Sequence, residues 1–121
     1  MNRLLSGRRI LVVEDEMLIL MMIEAMLADL GCEAVTTAAT VDQAVSLIEE
    51  QDFDAAMLDV NLKGDNSRPV ADALAARGVP FLISTGNGGH HTMADYEDRP
   101  VLRKPFLEDA LAAILTNLFS R

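Results

Sequence analysis

In this 121-residue chain, Glu14-Asp15-Glu16 directly follows the apolar run Ile10 to Val13, and Asp59 directly follows Ala55 to Leu58. Thr85 closes the stretch Phe81 to Ser84, and Lys104 follows Val101-Leu102 within two residues. If each apolar run is a strand, all these polar groups are delivered to strand ends. Two unit charges 4 Å apart repel by about 4 kcal/mol at an effective dielectric of 20, so gathered carboxylates require a cation. All-oxygen ligands in an open, partly hydrated site suit Mg²⁺, with Mn²⁺ as the other candidate. Neither His90 nor His91 falls at a strand end, which argues against zinc. A carboxylate beside such a cation, a hydroxyl and a lysine can accept a phosphoryl group. The metal and the ammonium neutralise the equatorial oxygens while the carboxylate attacks in line.

The elements that must position these groups follow from periodicity. Ile10 to Val13, Ala55 to Leu58 and Phe81 to Ile83 are short continuous apolar runs, as expected of strands covered on both faces. Glu33 to Thr37 and Val101-Leu102 read as weaker strands. Apolar residues at 19, 22, 23, 26, 27 and 30 predict a first helix ended by Gly31, with Met22 and Met26 in its inward stripe. Thr40 is the N-cap expected for a second helix, Val41 to Gln51, with Ala44, Val45, Leu47 and Ile48 inward. A polar loop from Asn61 to Pro69 leads to a third helix, Val70 to Ala76, closed by Gly78. Leu107 to Phe119 predicts a last amphipathic helix, and residues 86 to 99 are the least regular part. Strand and helix alternation of this kind implies a parallel sheet with helices on both faces, joined by right-handed crossovers. Ligands of such sheets lie beyond the carboxyl ends of the strands, where the acids, Thr85 and Lys104 stand.

Composition narrows the function. Half the residues are apolar, but four Phe, one Tyr and no Trp leave an aliphatic core with seven Met. A chain of this length is expected to form one domain, residues 1–121 with its core in 8–119, and no output domain is expected within it. The net charge of −9 argues against nucleic-acid binding, which needs clustered Lys and Arg. The longest apolar run, Met17 to Ile23, is too short to span a bilayer. A single cysteine, Cys32, fits a reducing, cytoplasmic setting.

Four motifs resemble the receiver domains of two-component response regulators: Ile10-Leu-Val-Val-Glu-Asp15, Met57-Leu-Asp59-Val-Asn61, Pro80-Phe-Leu-Ile-Ser-Thr85-Gly86 and Lys104-Pro105-Phe106. The resemblance covers residues 8 to 119. It implies a flavodoxin-like (βα)5 fold with strand order 2-1-3-4-5. It makes Asp59 the phosphoacceptor and Glu14 and Asp15 the acidic pair. Asp15, Asp59 and the backbone carbonyl of Asn61 would ligate Mg²⁺. Thr85 becomes the switch hydroxyl, Lys104 the cation that binds the phosphoryl group together with Thr85 and Gly86, and Lys104-Pro105 a cis peptide. The implied donor is a sensor histidine kinase or a histidine phosphotransfer protein, which makes the protein a switch that catalyses only its own phosphorylation and dephosphorylation.

Two departures stand out. Val101 occupies the place of the family's switch aromatic, and the glycine-bearing stretch from Gly86 to Arg99 predicts an irregular or shortened fourth helix. With Phe81 to Gly86, these features look like the FAT GUY receiver subfamily, although Ile83-Ser84 replaces its Phe-Ala and Asn87 stands where a tyrosine is often found. Met17, Leu18 and Met21 fall off the inward stripe of the first helix. In the family that helix docks on the bundle that carries the phosphohistidine, so these three residues are the expected partner face. Two other readings compete. A small Mg²⁺-dependent aspartyl-phosphate phosphohydrolase needs a second acid two residues after its nucleophile, where this chain has Asn61. A receiver-like docking module that is never phosphorylated would have no use for the acceptor chemistry.

Overall fold

A computed structural model describes residues 4–62, 65–86, 96 and 98–120. In chain order the elements are β1 (Arg9–Val13), α1 (Met17–Asp29), β2 (Ala34–Ala38), α2 (Val41–Glu50), β3 (Ala55–Asp59), β4 (Asn61–Leu62) and β5 (Asp65–Asn66). There follow α3 (Arg68–Ala76), β6 (Phe81–Thr85), β7 (Val101–Arg103) and α4 (Glu108–Phe119). Five strands form one parallel sheet in the order β2-β1-β3-β6-β7. Counted by appearance within that sheet, this is 2-1-3-4-5, the flavodoxin-like order.

Strand alternation sorts the core into two layers. Leu11, Val13, Ala56, Leu58, Phe81 and Ile83 pack on one side, with Ala44 and Ile48 of α2 and Val70, Ala71 and Leu74 of α3. Ile10, Val12, Met57, Leu82 and Leu102 face the other way, onto Leu20, Ile23 and Leu27 of α1 and Leu111, Leu115 and Leu118 of α4. Because successive side chains of a strand point to opposite faces, a buried run such as Ile10 to Val13 serves both layers.

The local signals act as their chemistry requires. Gly31 and Gly78 adopt φ of 95° and 69° just past α1 and α3, where a side chain would be strained. The Thr40 hydroxyl accepts a hydrogen bond from the Gln43 amide at 3.1 Å, and the Gln43 side chain accepts in turn from the Ala39 amide. Pro69 lies in the first turn of α3, where its missing N–H costs nothing.

Three expectations change. The inward stripe of α1 is centred on Leu20, Ile23 and Leu27, while Met22 is 39% exposed. Met17 to Ile23 is apolar all round, so spacing alone leaves the helix phase open, and contact with the sheet sets it. The segment after Asp59 is not a plain loop, because Asn61-Leu62 and Asp65-Asn66 pair as two short antiparallel strands. Helix α3 begins two residues early, at Arg68. The expected irregular fourth helix falls on residues 87–95 and 97, outside the described residues.

Candidate phosphoryl-acceptor site

The site forms at the carboxyl edge of the sheet because each strand ends in register with its neighbour. Past β1, the Glu14 amide still bonds to the Ala38 carbonyl at 3.0 Å, so Glu14 is held at the sheet and 1% exposed. Asp59, the last residue of β3, lies opposite Ser84 of β6. Thr85 ends β6, and its carbonyl accepts from the Lys104 amide at 2.8 Å, which fixes Lys104 across from it. The Ser67 hydroxyl donates to the Val60 carbonyl at 2.9 Å and ties the start of α3 to the segment after Asp59. The peptide bond between Lys104 and Pro105 is cis.

These backbone positions bring the predicted groups together. Carboxylate oxygens of Glu14, Asp15 and Asp59 lie within 4.8 Å of one another. The Lys104 ammonium reaches Glu14 Oε1 at 2.6 Å and Asp59 Oδ2 at 3.3 Å. Glu14 Oε2 accepts from the Glu16 amide at 3.2 Å, which turns the chain back toward the site before α1 starts. Thr85 is buried at the rim and Gly86 is exposed beside it. A cleft of about 520 Å³ opens over Asp59, Thr85 and Lys104. Its walls include Met22 and Ile19 of α1 and Phe106 after Pro105.

The electrostatics follow from this crowding. Burial pushes the Glu14 carboxyl above its ordinary value, the neighbouring Asp59 adds to the push, and the Lys104 ammonium offsets only part of it. Burial by itself would lower the Lys104 ammonium, but Glu14 and Asp59 outweigh it and hold Lys104 above the ordinary lysine value. Three carboxylates and one ammonium leave a negative, oxygen-lined cleft. The three carboxylates form an all-oxygen donor set that fits a hard divalent cation.

Met17, Leu18 and Met21 are exposed on α1, on the side turned away from the core. Met22 was expected in the core and instead stands at the cleft, a position that follows from the corrected helix phase. Val101 is 46% exposed on β7. Sequence reasoning also missed Tyr96. Its ring meets Phe81 edge to face at 5.6 Å, and its hydroxyl donates to Asp72 Oδ1 of α3 at 2.6 Å. A lone Tyr in an irregular stretch gave no signal of that partner.

A model of the response regulator receiver domain matches residues 10–116. The solution structure of SdrG from Sphingomonas melonis Fr1 is similar at 46% identity and a TM-score of 0.84, covering 96% of this chain and 98% of that one. A BeF3-activated conformation of SdrG from Pseudomonas melonis Fr1 aligns at 45% identity and a TM-score of 0.78, over 93% and 98% of the two chains. The receiver domain of the sensor histidine kinase PA1611 from Pseudomonas aeruginosa PAO1 has a magnesium ion coordinated in its active-site cleft. It is 32% identical at a TM-score of 0.81, over 96% of this chain and 100% of that one. No curated protein matches.

Proposed function

The chain belongs to the response regulator receiver domain family, and from that membership we propose that it takes a phosphoryl group from a histidine donor onto Asp59 and thereby changes its partner binding. The observation that carries this reading is the convergence of Glu14, Asp15 and Asp59, with the Lys104 ammonium bridging two of them at 2.6 and 3.3 Å. Glu14, Asp15, Asp59 and the Asn61 carbonyl would hold Mg²⁺, and the magnesium in the PA1611 cleft supports that assignment. Bound there, the ion would supply charge neutralisation for the transferred oxygens.

The chain's own residues do the rest. An Asp59 carboxylate oxygen forms the new bond to phosphorus as the phosphorus–nitrogen bond of the donor breaks. The electron pair stays on the imidazole nitrogen, which takes up a proton. Lys104 lies within reach of both the acceptor and Glu14, so it offsets the charge added at Asp59. Thr85 supplies a hydroxyl to a phosphoryl oxygen, with Gly86 beside it. The BeF3-activated SdrG structure supports a fold that accepts a phosphoryl mimic. Receiver domains are signalling modules, and the phosphohydrolase reading lacks its second acid at Asn61.

The test is incubation with phosphoramidate and Mg²⁺, followed by intact-mass and peptide analysis. One base-labile phosphoryl group at Asp59 is expected, and none in Asp59→Ala. Unchanged labelling of Asp59→Ala would overturn the acceptor assignment, and turnover of external phosphoesters would favour the hydrolase.

A further inference from the structure

The methionines of α1 differ sharply in exposure. Met17, Met21 and Met22 are 66%, 56% and 39% exposed, whereas Met57 in β3 is 1% exposed. Met26, one turn beyond Met22, is half-buried. Met17 and Met21 are four residues apart and share a helix face, with Leu18 beside them at 82% exposure. Met22 continues this apolar surface to the lip of the cleft that holds Asp59. Met22 walls the cleft on the α1 side, so a donor protein that reaches Asp59 along α1 buries part of this surface. This step rests on the function proposed above.

A thioether is the apolar group that a mild oxidant makes polar. A hydroperoxide transfers its terminal oxygen to the sulfur as its O–O bond breaks. The sulfur is oxidised by two electrons to a sulfoxide, and the hydroperoxide leaves as the alcohol, or as water from hydrogen peroxide. A dithiol reverses the step: the sulfoxide oxygen departs as water and the dithiol becomes a disulfide. Each sulfoxide puts a strong, chiral dipole where the donor protein needs an apolar contact.

We propose that Met17, Met21 and Met22 form a reversibly oxidisable face that closes the protein-borne route to Asp59 while leaving the cleft open to small phosphodonors. The two routes differ because a small donor enters the cleft without covering Met17 and Met21. Oxidation order follows exposure, so the α1 helix carries its own internal control in Met26.

The experiment treats the purified chain with hydrogen peroxide and maps sulfoxides by peptide mass. Labelling of Asp59 is then followed from phosphoramidate, and from a phosphorylated histidine phosphotransfer domain chosen because it labels the untreated chain. Sulfoxides are expected at Met17, Met21 and Met22 before Met26 and Met57. Transfer from the phosphotransfer domain is expected to fall about tenfold or more, with phosphoramidate labelling retained and transfer restored by methionine sulfoxide reductase. The variant Met17→Leu/Met21→Leu/Met22→Leu, compared with its own untreated form, is expected to lose this peroxide sensitivity while it keeps Met1, Met26, Met57 and Met93. Three results would overturn the proposal: undiminished transfer to the oxidised chain, an equal fall by both routes, or a leucine variant as sensitive as the parent. Failure of phosphoramidate to label Asp59 in the untreated chain would instead count against the underlying function.

Discussion

Lys104 is where residue-level physics is most exposed. Its ammonium is the close cation for a Glu14 that is 1% exposed, at 2.6 Å. Lys104→Ala leaves that carboxylate without its counter-charge and is expected to destabilise the fold by roughly 1–3 kcal/mol near neutral pH. Glu14 already titrates above its ordinary value, because burial and Asp59 disfavour its charged form. It therefore protonates early as pH falls, and the penalty in Lys104→Ala should shrink as the pH drops toward and through that raised value. Denaturant midpoints of parent and variant, taken from neutral to mildly acidic pH, would check this. A penalty that grows on acidification would refute it.

The same shift has a consequence for metal. A proton on Glu14 competes with a divalent cation for the cluster. Mg²⁺ affinity is thus expected to fall as pH decreases, beginning at a pH above the ordinary glutamate range. The chain has no Trp to report binding, so calorimetric titration at several pH values is the suitable measurement. Asp15→Ala and Asp59→Ala each delete a proposed ligand and should weaken binding greatly at every pH.

At the scale of elements, α2 and α3 are joined by a side chain that no periodicity marks. Arg77, just past α3, donates to the carbonyls of Ile48 and Glu49 at 2.9 and 3.2 Å and to Asp52 at 2.8 Å. It satisfies carbonyls at the end of a helix that has no basic residue of its own in its last turn. Arg77→Ala is expected to cost about 1 kcal/mol, more than the exposed ion pair with Asp52 alone would explain. Asp52→Ala should cost clearly less, and equal losses in urea melts would show that the carbonyl contacts carry nothing. On α1, Leu18→Glu or Met21→Glu places a charge on the proposed donor surface, outside the sheet contact. Transfer from a histidine donor should slow much more than labelling by phosphoramidate. If both fall together, the face is not a docking surface.

Across the whole molecule, the question is how charge added at Asp59 reaches a partner. Phosphorylation brings about −1.5 to −2 charges beside existing carboxylates. Thr85, buried at the end of β6, is the hydroxyl proposed to turn toward it, and the position of the family's switch aromatic holds Val101, which is small and 46% exposed. The first described side chain beyond the segment after Gly86 is Tyr96, anchored by Asp72 and packed on Phe81 of the same strand as Thr85. A coupling of roughly 1–3 kcal/mol suffices for signalling. Amide exchange with and without beryllofluoride and Mg²⁺ is expected to change through residues 86 to 99. A change confined to β7 would show that the signal leaves by the edge strand instead.

What the sequence determined by itself was the five strands of the parallel sheet and the chemistry at their ends. Ile10 to Val13, Ala55 to Leu58 and Phe81 to Ile83 read as strands buried on both faces because the runs are short, continuous and apolar, and alternation with helices put the polar residues after them on one edge of a parallel sheet. Thr40, Gly31 and Gly78 were legible because capping and positive φ are local backbone demands that few residue types meet. The phase of α1 was not, because a helix apolar all round has no polar stripe to reveal its outside. Only packing against Ile10, Val12 and Met57 turned Leu20 inward and Met22 toward the cleft. The antiparallel pairing of Asn61-Leu62 with Asp65-Asn66, the cap from Arg77 and the Tyr96–Asp72 bond were likewise decided in three dimensions. Each joins groups whose partners lie on other elements, and no spacing along one element encodes such a meeting. The closeness of Lys104 to both Glu14 and Asp59 belongs to the same class: residue types announced the chemistry, and strand register supplied the distance.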